Sequence, residues 1–445
     1  MTLERVNELI EKKSFMELRS ELLEMNAADI AAILEELSNA ETIKIFRLLP
    51  KDLAADVFSF LPIEVEQFII TSLTAKEAGF LIDNMFADDA ADLMDEMPAN
   101  VVTKLLAHAD PETRRDINHL LQYPEDSAGS LMTVEYVSLK EGITVSDAIA
   151  QIRENAEDSA DFNICYVLDE RRKLIGTVEL RDLILSKPDA LVRDVMNENF
   201  ISVNTHDDQE EVAQAFQKYN CTAMPVVDKE HRLVGIITID DIVDIIEQEA
   251  TEDIEMMAAI TPTDKPYMKT SVFETWKKRI PWLLLLMISA TFTGQIIQHY
   301  ENALGAYIVL TSFIPMLMDT GGNAGSQASV TIIRGLSLNE LEFSDIWAIM
   351  WKEFRVSICC GLTLAVANFA KLLLIDRVSI MIAAVVCITL ASAVIVAKLV
   401  GCTLPVLAKK VGFDPAVMAS PFITTIVDAL SLMIYFTVAT HLLGI

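Results

Sequence analysis

An aspartate in the middle of an apolar run is the first residue that asks for chemistry. Asp428 sits within "PFITTIVDALSLMIYF", and no Lys or Arg shares that run. An ionised carboxylate at mid-membrane depth costs about 3 kcal/mol, so acids there mark ion paths more often than packing sites. A second apolar run holds "PMLMDTGGNAGSQ", residues 315–327. Gly321 and Gly325 have the spacing of close helix packing. Packing does not account for Asp319, Asn323 and Gln327 beside them. Adjacent glycines weaken a helix by about 1 kcal/mol each, and Pro315 removes a backbone donor. A loosened helix is therefore expected, whose freed carbonyls and Asn323 amide oxygen offer hard oxygen ligands. Such ligands suit Mg²⁺, which keeps several of its waters. Asn323 and Asp428 are expected to face each other across one cation path, with Asp319 at its mouth.

A further set of acids lies outside the apolar runs. Asp88, Asp92 and Asp95 recur at helical spacing, and "DDIVDIIEQEATEDIE" supplies Asp241, Asp244, Glu249, Glu252 and Asp253. Like charges three and four apart cost a few tenths of a kcal/mol per pair in a helix. A solvated face is the plain reading of such runs. Their place at the entry to the apolar half favours binding of a multivalent cation. The charge balance agrees. Nine acids and eight bases follow position 280, which leaves 56 of the 65 acids and 27 of the 35 bases for residues 1–280, a net of −29 against −1. Nucleic acid is disfavoured as a partner, because phosphates need the opposite sign.

These groups need elements to hold them. Residues 1–126 read as helix throughout, with a weak repeat in "DIAAILEELS", "DLAADVFSFLP" and "DDAADLMDEMP". The pattern predicts stacked helical hairpins. In residues 127–250, "YVLDERRKLIGTVELRDLI" aligns without a gap to "PVVDKEHRLVGIITIDDIV", and "LMTVEYVSL" corresponds to "VMNENFISV". Two α+β units sharing an interface are expected. Residues 251–280 are expected as a connecting helix interrupted near Pro262 and Pro266. Residues 281–445 hold five runs long enough to span a bilayer, starting near Trp282, Leu304, Val356, Val378 and Met418. Lys277, Lys278 and Arg279 precede the first, which puts the acidic part in the cytosol and, after five spans, the C-terminus outside.

The six cysteines show no metal or redox spacing, and "MTLERVNELIEKKSF" has no apolar core of a secretory signal. His299 and His441 stand outside any His/Cys cluster, which disfavours a dedicated soft-metal path. No P-loop, nucleophile elbow or metal-hydrolase motif is present, so no enzyme is expected.

The duplicated unit, with "GIITIDD" as its strongest sign, resembles a pair of CBS domains. Together with the helical segment before it and "PMLMDTGGNAGSQASVTIIRGL" and "SPFITTIVDALSLMIYF" after it, the chain resembles the MgtE family of magnesium transporters over essentially its full length. The family pattern Ser-Gly-Pro is here Ala419-Ser420-Pro421. The resemblance implies a homodimeric, Mg²⁺-selective channel or channel-like transporter of the plasma membrane. It implies that Asp428 holds Mg²⁺ in a central pore. It also implies that the connecting segment carries a plug helix, whose acids and those of the N-domain bind Mg²⁺ between domains. In related CBS pairs the positions of Asp182 and Asp241 meet a ribose, and Thr238 is placed to meet a phosphate. An ATP site and a purely structural pair both remain open there. The alternatives to Mg²⁺ transport are a carrier for Mn²⁺ or Co²⁺ and a non-conducting membrane-anchored nucleotide sensor.

Overall fold

The computed structural model describes residues 2–156, 159–263, 265, 267–300, 305, 307–418 and 420–444. It divides into two compact units, Met1–Ile246 and Glu247–Ile445.

The first unit begins with ten helices among the described residues, from α1 (Leu3–Glu11) and α2 (Phe15–Leu22) to α10 (Pro111–Leu120). They are eight to ten residues long, too short to be stable alone. Stacking supplies what length does not. The helices α3 (Ala27–Glu36), α5 (Lys51–Ser59), α7 (Ala75–Ile82) and α9 (Ala99–His108) pack in succession. So do α4 (Asn39–Phe46), α6 (Ile63–Ser72), α8 (Ala87–Asp95) and α10. The result is a two-layer solenoid with one continuous apolar core. Prolines punctuate it: Pro50, Pro62 and Pro98 are N-caps, and Pro111 opens α10. There the missing N–H costs nothing. The three repeat segments fall on α3, α5 and α8, so the third belongs to the other layer.

The duplicated region forms two like units. The first is β1 (Tyr136–Lys140), α11 (Val145–Asn155), β2 (Asp161–Leu168), β3 (Leu174–Glu179) and α12 (Leu180–Leu185). After the short α13 (Val192–Val195), the second is β4 (Val203–Asn204), α14 (Gln209–Tyr219), β5 (Ala223–Val227), β6 (Leu233–Thr238) and α15 (Ile239–Met257). Each sheet has one parallel and one antiparallel pair, in the orders β1-β2-β3 and β4-β5-β6. The copies exchange their leading segments. Thr133 bridges to Ile236 of the second copy, and Asn197 bridges to Thr177 of the first. Gly176 and Gly235 admit this crossing. A Cβ on Gly176 would meet Met196 Sδ at 2.8 Å, and one on Gly235 would meet Met132 Sδ at 2.7 Å.

The second unit is helical. Four helical segments are long and apolar enough to cross a membrane among the described residues: Val272–His299, Phe343–Leu374, Ile380–Val411 and Pro415–Leu443. They are built on α16 (Val272–His299), α18 (Ile346–Leu374), α19 (Ile380–Val411) and α20 (Ser420–Leu443). Between α16 and α18 lies α17 (Ile314–Ser337), a more polar helix of 24 residues, about 36 Å long and enough to span a bilayer core. The expected start of the second run, Leu304, lies outside the described residues, as do Pro266 and Ala419. The expected connecting helix is interrupted more widely than at its prolines. α15 runs out of the second CBS unit to Met257, and α16 starts at Val272 and continues through Pro281.

Candidate functional site

Within the second unit, α17 packs against both α19 and α20. Its residues sort by face. Gly321, Gly322 and Gly325 are buried. A Cβ on Gly321 would lie 3.0 Å from Val427 of α20, and one on Gly401 of α19 would lie 2.2 Å from the Gly325 carbonyl oxygen. The glycines therefore serve close helix packing. The expected loosened helix is not found. α17 is continuous from Ile314 to Ser337, and Pro315 occupies its first turn, where a proline breaks no hydrogen bond. No freed mid-helix carbonyls face a path, and the polar contribution of α17 rests on its side chains.

Those side chains occupy the opposite face. Asp319, Asn323 and Gln327 follow one another at four-residue spacing and are exposed. They line a recess of about 540 Å³ together with Cys359, Thr363 and Lys398. Asp428 comes from α20 and is not among the residues lining that recess. Its Oδ1 is buried and has no hydrogen-bond partner. Asp319 is the acid whose charge bears on it. A buried carboxylate oxygen without a donor is rare in a folded protein and calls for an unseen cationic or protic partner. A buried ion pair adjoins the recess: Lys398 Nζ and Glu353 Oε2 are 3.7 Å apart, with side chains 7% and 14% exposed.

The first unit gathers the acids of α8. Asp88 and Asp89 are half-buried, and Asp88 Oδ1 accepts from Asp89 N at 3.0 Å. Burial drives the Asp88 carboxyl well above the usual range, and Asp89, Asp241 and Glu135 reinforce this. Asp89 is raised by burial and by Asp240 and Glu135, against a hydrogen bond from Ser59. Asp92 is pushed up to about 7, first by loss of hydration and then by Asp89, Asp241 and Asp95. Asp92 is nevertheless exposed, and it lines a recess of about 320 Å³ with Asp95, Glu125 and Tyr123. Asp241 is pushed up to about 6 by burial and by Asp240 and Asp89. Sequence spacing missed three members. Glu66 of α6 is 8% exposed and pushed up to about 8 by burial, Asp89 and Asp92. Glu135 accepts from Thr133 Oγ1 at 2.5 Å and from Ala87 N, at the start of α8, at 3.5 Å. Asp89 stood in plain view in "DDAADLMDEMP". Glu66 and Glu135 had no local signal, since stacking and the strand crossing bring them in.

The remaining acids of α15 are placed differently. Asp244 is exposed, while Glu249 and Glu252 are half-buried. In the second unit, Asp253 Oδ2 accepts from Ser337 Oγ at 3.1 Å. Burial raises its pKa and Asp414 adds to this, while Ser337 and Arg334 oppose it. Among the described residues, no three His, Cys, Asp or Glu side chains form a ready metal cage.

Thr238 and Asp241 meet each other. Thr238 Oγ1 donates to Asp241 Oδ2 at 2.7 Å, tying the residue before α15 to its first turn as helix caps do. Asp182, in the first copy, is half-buried and 3.6 Å from Arg181 Nε.

Three family models match the chain. Residues 25–126 match the MgtE intracellular N domain, residues 128–188 and 192–248 the CBS domain, and residues 314–438 the MgtE divalent cation transporter. The magnesium transporter MgtE of Thermus thermophilus is 39% identical over 334 residues, which is 75% of this chain and 74% of that one. The magnesium transporter MgtE of Bacillus subtilis is 37% identical over 339 residues, with the same coverage. The crystal structure of the cytosolic domain of the Mg²⁺ channel MgtE in complex with ATP matches with a TM-score of 0.53 at 36% identity, covering 55% of this chain and all of that one. The chain belongs to the MgtE family of magnesium transporters.

Proposed function

We propose that this chain imports Mg²⁺ across the plasma membrane as a homodimeric, channel-like transporter, and that Mg²⁺ binding to its acidic cytosolic region closes it. The observation that carries the transport reading is the buried, unpartnered Oδ1 of Asp428. A two-fold axis through the membrane helices brings two such carboxylates to one path, enough charge for a hydrated divalent ion. Asn323 supplies an oxygen at the wall, and Asp319 attracts the ion toward it. Lys277 to Arg279 at the head of α16 hold the acidic region in the cytosol, and five spans carry the C-terminus to the outside.

Closure follows from electrostatics. Asp88, Asp92 and Asp241 repel one another when ionised, and Asp95 adds to the field on Asp92. Mg²⁺ among them relieves that repulsion and favours the compact form, and several weak sites together shift the balance steeply. The same ion bound by Asp244, Glu249, Glu252 and Asp253 holds the connecting segment in place. ATP binding to the CBS pair is supported by the related cytosolic domain solved with ATP, with Asp182, Thr238 and Asp241 as the candidate contacts.

Mg²⁺ flux into proteoliposomes tests the reading, with Mn²⁺, Co²⁺ and Ca²⁺ as competitors. Mg²⁺ uptake is expected, silenced by millimolar Mg²⁺ on the cytosolic side. Neutralising Asp241, Asp244, Glu249, Glu252 and Asp253 together should leave the path open at high Mg²⁺. Normal closure of that variant would make these acids a solvated surface.

A further inference from the structure

The described residues between α15 and α16 fold back onto the head of α16. Thr261 N donates to Lys278 O at 3.2 Å, and Lys278 Nζ donates to Pro262 O. Thr263 N donates to Glu255 Oε2 at 2.9 Å, and Lys265 Nζ sits 3.4 Å from Glu274 Oε1. These contacts enclose a recess of about 340 Å³, whose wall includes Thr251, Glu255, Thr263, Thr275, Lys278 and Arg279. Three cations, Lys265, Lys278 and Arg279, line it against the one carboxylate of Glu255, which accepts from Thr263 N. The Thr251 and Thr275 hydroxyls already donate to Glu247 O and Ser271 O, so the cations supply the donors. The donors suit a phosphate diester.

A second observation says where the recess lies. Tyr267, Met268, Val272, Phe273 and Trp276 are between 57% and 90% exposed. Phe273 and Trp276 contact each other edge to face on the first turns of α16. Exposed aromatic and aliphatic side chains beside Lys277, Lys278 and Arg279 suit the headgroup layer, where amphipathic rings settle and cations meet anionic lipid. Such a band in bulk water would be an unexplained apolar patch.

We infer that this recess is a binding site for the headgroup phosphate of an anionic phospholipid, held where the connecting segment enters the membrane. The aromatic band lies along the acyl boundary, and Arg279 with Lys278 receives the phosphate. Lys278 spends one N–H on Pro262 and keeps two for the lipid.

Native mass spectrometry of the full-length protein tests this, after reconstitution in phosphatidylcholine with phosphatidylglycerol and extraction into mild detergent. Wild-type protein should retain phosphatidylglycerol in a discrete number per chain. Arg279→Gln should cut retention by about tenfold or more, the worth of a hydrogen bond between charged groups and above the roughly fivefold of one cation near an anionic surface. Lys277→Gln removes the same charge two residues earlier, outside the recess, and should lose no more than that roughly fivefold diffuse share. Equal losses in the two variants would reduce the effect to diffuse surface attraction and overturn the site. Displacement of the lipid by millimolar inorganic phosphate would reassign the recess to a soluble anion. The count is read without any Mg²⁺ flux, so it stands or falls apart from the transport reading.

Discussion

Ser337, the last residue of α17, donates its hydroxyl to Asp253 Oδ2 across 3.1 Å. The bond ties the end of the connecting helix to the helix that carries Asp319 and Asn323. Met256 and Met257 of α15 also pack against Ile333 of α17 and Ala416. A hydrogen bond to a charged group contributes about 1.5–3 kcal/mol. If the proposed closed form keeps this bond, Ser337→Ala should shift it toward the open one by about tenfold or more, seen as residual Mg²⁺ flux at cytosolic Mg²⁺ that silences the wild type. Unchanged closure in Ser337→Ala would confine the bond to local packing.

Asp428→Ala should abolish Mg²⁺ flux while the protein keeps the elution volume of the wild type in size-exclusion chromatography. Removing an unpartnered buried carboxylate relieves a desolvation cost, so the helix loses nothing by it. Asp428→Asn should conduct poorly, since it keeps an oxygen and loses the charge. Near-normal flux through Asp428→Ala would remove this residue from the path.

The acids around α8 predict a pH dependence with a definite sign. Asp241, Asp92 and Glu66 are pushed up to about 6, 7 and 8, above their unfolded values near 4. The folded form then holds more protons than the unfolded one between those limits. Their contribution to stability is full below about pH 4 and is lost as pH rises through the folded values. Limited proteolysis of the full-length protein in chelator should cut this region faster at pH 8.5 than at pH 5.5. Millimolar Mg²⁺ should restore protection at pH 8.5, because an ion bound only by the compact form stabilises it. A pH-independent digestion rate in chelator would refute the sign.

The Thr238–Asp241 bond separates the two roles open to these residues. Thr238→Val removes a helix cap and should cost about 1 kcal/mol of stability. If Thr238 also meets a phosphate, calorimetry should show ATP affinity falling well beyond what that destabilisation explains. Equal ATP binding by wild type and Thr238→Val would leave Thr238 with the capping role alone. Asp241→Ala should weaken ATP binding in the same experiment.

The Lys398–Glu353 pair makes a stability prediction. Removing one partner of a buried pair strands the other charge and costs about 3–5 kcal/mol, whereas replacing both by apolar residues is near neutral. Lys398→Met should thus lower the melting temperature in detergent strongly, and Lys398→Met with Glu353→Leu should recover most of it. Equal losses in both proteins would show that the pair is solvated by the recess.

Local periodicity and run length carried the fold class of this chain. Helical spacing marked the N-terminal solenoid. A gapless internal repeat marked two like α+β units, and apolar length marked the membrane helices, because each of these signals is carried by residues close in sequence. Asp428 was legible for the same reason: its cost depends on the apolar run around it and on nothing distant. The state of α17 was not. "MDTGGNAGSQ" reads as a broken helix until Pro315 is seen in the first turn and Gly325 against Gly401, and only the packed neighbours make glycine the stabilising choice at those positions. Sequence spacing likewise grouped Asp88, Asp92 and Asp95 on one helix. Stacking α6 on α8, and crossing the segment of Glu135 over to the second sheet, brought Glu66 and Glu135 beside them. A pKa is set by the dielectric and the charges within a few ångströms, and those come from whichever segments the tertiary fold delivers.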